Sequence, residues 1–266
     1  MSTQTQAAAA TVQAQPVTKT IRASGTDRGN PWTYIPLVLL SLTFILPLLF
    51  MISSSFKPRN QILNDLTSWR AFVPVGDLSM DNYVGVFDRV PVGQFFLVST
   101  IVTVSIVVLG LVVNSMAGFA LARLRFRGRG LILGAIIATL IVPFETFAIP
   151  MVYLVSNLPR VVLHSDGFAF RMGWANSYEV LIIPFIANAF SIFLFTQYYS
   201  SIPKELDEAA RVDGAGWLRI YRSVVSPLAG PAFATSAILT FLPQWNSYLW
   251  PVIQNEDMRP VQVGMR

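Results

Sequence analysis

There is no cysteine in this chain, so neither a disulfide framework nor a thiolate metal site can be built from it. A single histidine, His164, removes multi-histidine metal centres and most histidine catalysis. Charge is scarce as well: Asp, Glu, Lys and Arg make up 12% of 266 residues, against about 25% in soluble domains. With 53% hydrophobic residues and a mean hydropathy of +0.55, that deficit reads as an integral membrane protein. No G-x-x-x-x-G-K-[ST] phosphate loop occurs, which excludes the usual signature of nucleotide hydrolysis. The net charge of +5 comes from arginines gathered at the ends of apolar runs, which points to membrane topology rather than to nucleic acid.

What the chain does have is a series of apolar runs. Residues 1–30 are rich in Gln, Thr, Ala and Ser without an apolar period, and read as a disordered cytoplasmic tail rather than a cleaved signal peptide. Five runs follow, near residues 32–53, 94–122, 131–151, 178–200 and 228–250. Each is long enough to cross a hydrocarbon core of roughly 30 Å at about 1.5 Å per residue. Arg123, Arg125, Arg127 and Arg129 crowd the loop after the second run and place it inside by the positive-inside rule, which puts the amino terminus inside too. Asn114, Ser115, Gly118 and Ala120 in the second run suit helix–helix contacts, with a pathway-lining role for Asn114 as the competing reading. Glu145, bracketed by Pro143 and Pro150, is an ionisable group at membrane depth. It faces either a water-filled cavity or the outer headgroups. Counted along a continuous helix from Leu131, it lies roughly 21 Å in. Asn188 is a polar residue within the fourth run. Segment 156–177 reads as a solvated external loop, and Trp245, Tyr248 and Trp250 as an interfacial aromatic belt.

The longest charged stretch between apolar runs is Ile202 to Pro231. A charged loop between two spans lies outside lipid. Pro203 suits a first helical turn, Glu205, Asp207 and Glu208 fall at the end that favours negative charge, and Gly214 is placed to terminate the helix in a left-handed conformation. A second helix starts near Gly216, with Trp217, Ile220, Tyr221, Val224 and Val225 on one face and Arg219 and Arg222 on another. Two readings are open at this point: an amphipathic hairpin on the bilayer surface, or a docking knob whose small residues let a soluble partner come close.

Here the residues resemble a known family. E-A-A-x-x-D-G-A, Glu208 to Ala215, looks like the EAA motif of ABC importer permeases. Phe119 to Arg129, Val142 to Pro150 and Trp245 to Pro251 look like the carbohydrate-uptake branch, the type of the maltose importer. The resemblance implies an all-α polytopic bundle and a permease subunit of an ATP-driven importer of a sugar or oligosaccharide in the cytoplasmic (inner) membrane. It implies as partners a cytoplasmic ATPase dimer that binds the ATP, a second permease subunit and an extracytoplasmic solute-binding protein, besides membrane lipid. No cofactor, metal or catalytic residue is expected in the chain itself. It assigns ATPase coupling to the 203–214 helix through Glu205, Glu208, Ala209, Ala210, Arg211, Asp213, Gly214 and Ala215. Asn114, Glu145 and Asn188 are the candidate translocation-pathway residues.

The family usually has six spans. After Pro251 this sequence continues with polar residues 252–266, in which P-V-Q-V-G-M-R looks like the lead-in to a further helix. The rival class is an ion-coupled secondary transporter of a small polar solute, which needs buried carboxylates or broken helices. Only Glu145 stands at depth, and no internal repeat is visible. A membrane enzyme would need clustered acids, bases or nucleophiles within the spans, and the sequence offers none.

Overall fold

A computed structural model describes residues 31–164, 167–255 and 259–265; the tail expected over 1–30 lies outside them. The chain divides into two compact units, Met1–Asn82 and Tyr83–Arg266.

In the first unit, α1 (Pro31–Ser55) is a 25-residue apolar helix that keeps Pro36 and Pro47 within it. Its side chains are almost all exposed, Leu39, Phe44 and Met51 among them, as suits a helix solvated by lipid tails. The polar segment behind it is folded around one buried cation. Lys57 is 1% exposed, and its Nζ donates to Asp65 Oδ2 at 3.1 Å and to the carbonyl of Arg70. These partners sit at the end of α2 (Arg59–Asp65) and in the 3-10 turn Trp69–Phe72. Asn82 donates to the carbonyls of Ser55 and Lys57 and ties the segment back to the end of α1. The hydrogen bond from Lys57 holds the Asp65 carboxyl below the usual carboxylate range. A carboxylate whose folded-state pKa is depressed contributes stability above its unfolded pKa and loses it as pH falls through the folded value. Acidification below about pH 4 is therefore expected to open this segment, read as faster protease cleavage between Lys57 and Asp77 than at pH 7. Equal cleavage at both pH values would show that the pair does not hold it.

The helix α3 (Asp81–Arg89) follows, with Asp81 in its first turn and Arg89 in its last, matching the helix dipole at both ends. The second unit is built on α4 (Val92–Arg123), 32 residues long. The third apolar run is not one helix, as expected over 131–151, but two: α5 (Arg129–Thr139) and α6 (Phe144–Asn157), bent by 106°. Pro143 supplies no amide hydrogen and directs the preceding residue away from helical backbone, so the chain turns there although Leu140, Ile141 and Val142 continue the apolar composition. Glu145 consequently lies in the first turn of α6, not deep along a helix from Leu131.

Segment 156–177 is more ordered than a solvated loop. β1 (Pro159–His164) and β2 (Gly167–Met172) form an antiparallel hairpin, with Val161 opposite Phe170 and Arg160 opposite Arg171. Alternating residues Phe168, Phe170 and Met172 are exposed, and Arg160 pairs with Glu179 at 3.2 Å.

The fourth run is α7 (Tyr178–Ile186) and α8 (Ala189–Ser201), interrupted by extended backbone at Ala187 and Asn188. The charged stretch forms α9 (Glu205–Val212), α10 (Trp217–Ile220), a π-helical turn over Tyr221–Val225 and α11 (Ser226–Leu228). The fifth run is α12 (Gly230–Trp245), turned by 81° from the Trp217–Leu228 segment. Pro227 and Pro231, with the π turn between α10 and α11, account for that bend. Short helices α13 (Leu249–Gln254) and α14 (Val261–Gly264) follow, the latter packed on α4 with its Val261 amide donating to Ser99 Oγ. Among the described residues, three helical segments are long and apolar enough to cross a membrane, or up to five if each bent pair is one span.

Two apolar clusters hold this unit. One joins Val98, Val102 and Ile106 of α4 to Val155, Val180, Leu181 and Trp250. Trp250 is therefore no member of an interfacial belt: it is 1% exposed, and its indole N–H donates to the carbonyl of Val180 at 2.8 Å. The amide that Pro184 lacks and the extended backbone that follows it leave Val180 and Ile186 carbonyls without helical donors, and side chains of other helices fill the gap. Asn114 of α4 does so at Ile186, donating to its carbonyl at 3.0 Å while its own Oδ1 accepts from the Asn188 amide at 2.9 Å. Asn114→Leu, which removes both bonds, is expected to cost about 1–2 kcal/mol, seen as a lower unfolding midpoint of the purified subunit. An unchanged midpoint would mean that the break is held without it.

Candidate functional site

The second apolar cluster carries the charged stretch. Phe119 and Ala122 of α4 meet Phe195, Tyr199 and Ile202 of the α8 end, and Ile220, Val225, Ala229 and Ala232 close the group. Phe119 is its hub, with ring centroids 5.3 Å from Tyr221, 6.1 Å from Tyr199 and 6.3 Å from Trp217. Tyr221 and Ser115 share a hydrogen bond of 2.7 Å. The apolar face expected on the second helix of the stretch is thus the face that roots it on α4 and α8. Gly118 lets the two helices touch: a Cβ there would stand 2.5 Å from the Phe195 Cβ and 3.0 Å from the Thr196 amide nitrogen.

On this base α9 projects with three acids in its first turn. It ends in a complete Schellman closure: the Gly214 amide donates to the Arg211 carbonyl, the Ala215 amide donates to the Ala210 carbonyl, and Gly214 has φ +79°. The motif's Asp-Gly step is thus a requirement of backbone geometry. Arg211 lies over the Trp217 ring at 5.1 Å and bridges α9 to α10 across the turn.

The expected coupling residues divide by exposure. Glu205, Glu208, Ala209, Arg211, Asp213 and Gly214 are exposed. Ala210 and Ala215 are half-buried and pack against the molecule's own aromatic cluster. Leu206, 40% exposed, and Val212, 89% exposed, stand with Ala209 at helical spacing and form an apolar stripe that nothing in the chain covers, among the described residues. Of the pathway candidates, Asn114 is buried between α4 and the α7–α8 break, Asn188 is exposed at that break and caps α8, and Glu145 is exposed in the first turn of α6.

Sequence reasoning passed over two residues. Asp207 is the buried acid of α9, with Oδ2 3.1 Å from Nε of Arg123. The sequence marked Arg123 only as a topological charge. Beside this pair, Arg125, Arg129, Lys204, Glu208, Arg211 and Trp217 line a cleft of about 750 Å³ between the arginine loop and α9. Burial pushes the Asp207 carboxyl above its ordinary range, with Arg123 pulling the other way and Glu208 adding to the rise.

Residues 114–253, which contain all of this apparatus, match the family described as the inner membrane component of binding-protein-dependent transport systems. The chain belongs to that family. This permease is similar to AraQ, the arabinooligosaccharides transport system permease protein of Halalkalibacterium halodurans, with 33% identity over 235 residues, 87% of this chain and 78% of the relative. It is likewise similar to NgcG, the diacetylchitobiose uptake system permease protein of Streptomyces coelicolor, with 33% identity over 241 residues, 88% and 72% of the two chains. Among solved structures it resembles a chain of a bacterial ABC transporter involved in the import of the acidic polysaccharide alginate. That match has a TM-score of 0.72 and 26% identity, and covers 88% of this chain and 76% of the other. The protein is a polytopic helical permease subunit of an ABC importer.

Proposed function

We propose that this permease carries a sugar or oligosaccharide across the cytoplasmic membrane and is driven through α9 by a cytoplasmic ATPase dimer. The observation that carries the reading is the stripe of Leu206, Ala209 and Val212, uncovered among the described residues and flanked by Glu205 and Glu208, on a helix packed against the bundle. A charged hairpin that lay on the bilayer surface would turn such a stripe to lipid, but it would not need the acids beside it or a Schellman closure at its tip. ATP binds the partner and not this chain, whose sequence has no phosphate loop.

Closure of the ATPase dimer would move α9 as a body, and α10 through α12 would follow it. The arginine loop and the α9 hairpin meet across one cleft, which supports a cytoplasmic location for both and an inside amino terminus. A second permease subunit and an extracytoplasmic solute-binding protein complete the assembly. The names of the similar permeases favour an oligosaccharide. The exposed Asn188 side chain at a helix break favours the α7–α8 junction as part of the pathway, because non-helical backbone at membrane depth needs a wet or protein-lined surrounding.

Proteoliposomes holding the assembled importer, with binding protein outside and ATP inside, test the substrate class. Uptake of a labelled oligosaccharide that requires both ATP and binding protein is the expected result. Uptake driven by an ion gradient without the ATPase would restore the secondary-transporter reading.

A further inference from the structure

Arg123 ends α4, but its guanidinium serves three helices. Nη2 donates to the carbonyl of Ile202, the residue that caps α8, at 2.8 Å. Nε lies 3.1 Å from Asp207 Oδ2 in the first turn of α9. A cation at a helix carboxyl end and an acid at a helix amino end are each the favourable choice. A planar fork offers its donors to the Ile202 carbonyl and the Asp207 carboxylate in fixed directions, which an ammonium on a flexible stem does not. The side chains of Arg123 and Asp207 are 1% and 8% exposed, so this contact lies inside the subunit and not on the surface offered to a partner.

We infer that the Arg123–Asp207 pair is the joint that transmits the motion of α9 to the membrane helices α4 and α8. The inference rests on the docking role proposed for α9. The contacts of Tyr221 with Ser115 and Phe119 enter through the π turn, beyond the Gly214 turn, while Ala210 of α9 packs on the same cluster. Arg123 is the charged attachment on the α9 side of that turn, beside the apolar contact of Ala210. It makes the amino end of α9, α4 and the α8 cap move together, as buried networks of ion pairs and hydrogen bonds with defined arrangements can.

A static brace and a transmitting joint differ in what their loss does. Burial already raises the Asp207 carboxyl, so its ionised form costs stability at neutral pH. Asp207→Asn keeps an oxygen acceptor for the guanidinium and removes the buried negative charge. The same change leaves the buried Arg123 cation without its counter-charge, so a lower thermal midpoint is expected, and coupling is read at a temperature at which the variant stays folded. Glu205 and Glu208 remain exposed, so the ATPase is still retained.

The test uses the complete importer in proteoliposomes, with wild type, Asp207→Asn, Arg123→Lys and the double variant. Subunit stability, ATPase retention, ATP hydrolysis and uptake are read in each. The expected result is retained ATPase and continuing hydrolysis, with solute moved per ATP reduced about tenfold in either single variant and no further in the double. Unchanged solute per ATP in both single variants overturns the inference, and so do additive losses in the double. Loss of coupling only in step with loss of subunit stability overturns it too and leaves a brace. A Glu208→Lys control separates this failure from failure of the docking reading: if Glu208→Lys retains the ATPase, α9 is not the docking element, whatever Asp207 does.

Discussion

Gly214→Trp is expected to abolish coupled uptake while leaving the permease in the membrane. Two costs coincide at this position. The backbone has φ +79°, which a side chain tolerates only at a penalty of about 1–2 kcal/mol. Asn bears that conformation best among the alternatives, so Gly214→Asn serves as the control. Among the described residues a Cβ at Gly214 meets nothing within 4 Å, so a side chain there starts into open space, where a docked partner would meet it. Gly214→Asn should therefore retain most uptake and Gly214→Trp almost none, with ATP hydrolysis freed from the presence of solute. The pair of variants, assayed side by side for uptake and hydrolysis, separates the backbone effect from the docking effect. Normal coupled uptake by Gly214→Trp would remove the tip of the hairpin from the mechanism.

Gly118→Leu is expected to be more severe and of a different kind. The clash is with the Cβ of Phe195 and the amide nitrogen of Thr196, so no rotamer change on α8 relieves it. Helices α4 and α8 must separate, and with them the Phe119 cluster and the Ser236–Ser191 hydroxyl contact of 3.0 Å that joins α12 to α8. Overpacking of this sort typically costs about 1–3 kcal/mol, and more where backbone must move. Because association in lipid depends on close packing, the variant should accumulate poorly and unfold early after extraction in detergent. Gly118→Ala probes the same contact with a single methyl group and should fall between. Wild-type accumulation and stability of Gly118→Leu would show that the close approach is dispensable.

Much of this architecture can be read from residue order because membrane solvent is so restrictive. Runs long enough to span lipid become helices, and a charged interval between two of them cannot lie within it. The left-handed Gly214 and the apolar face of Ile220 and Val225 follow from local rules and are found where those rules place them. The bends were hidden for a physical reason. Leu140, Ile141 and Val142 keep the composition apolar through the turn, so hydropathy carries no mark of it. Membrane helices also tolerate proline, so Pro143 alone does not distinguish a broken helix from a continuous one.

The 159–172 hairpin did leave a signal. G-F-A-F-R-M alternates with period two, and an Asp-Gly step precedes it, a strong turn signature in a hairpin. Asp207 was misleading for the opposite reason. On α9 the acid faces inward and Leu206 outward, an inversion of the usual pattern that only the position of Arg123 on another helix explains. Trp250 shows the same dependence on long-range context, since its indole serves a carbonyl 70 residues away.

Coupling depends first on the proposed docking of the ATPase on α9. Its most direct measurement is co-purification of the permease with the ATPase, for wild type and for Glu208→Lys, an exposed charge reversal that removes none of the side-chain hydrogen bonds or ion pairs described above. The expected result is an ATPase retained by wild type and lost from Glu208→Lys at equal permease recovery. Equal retention by both, or no retention by wild type, would contradict the account and leave the hairpin as a structure of the membrane surface.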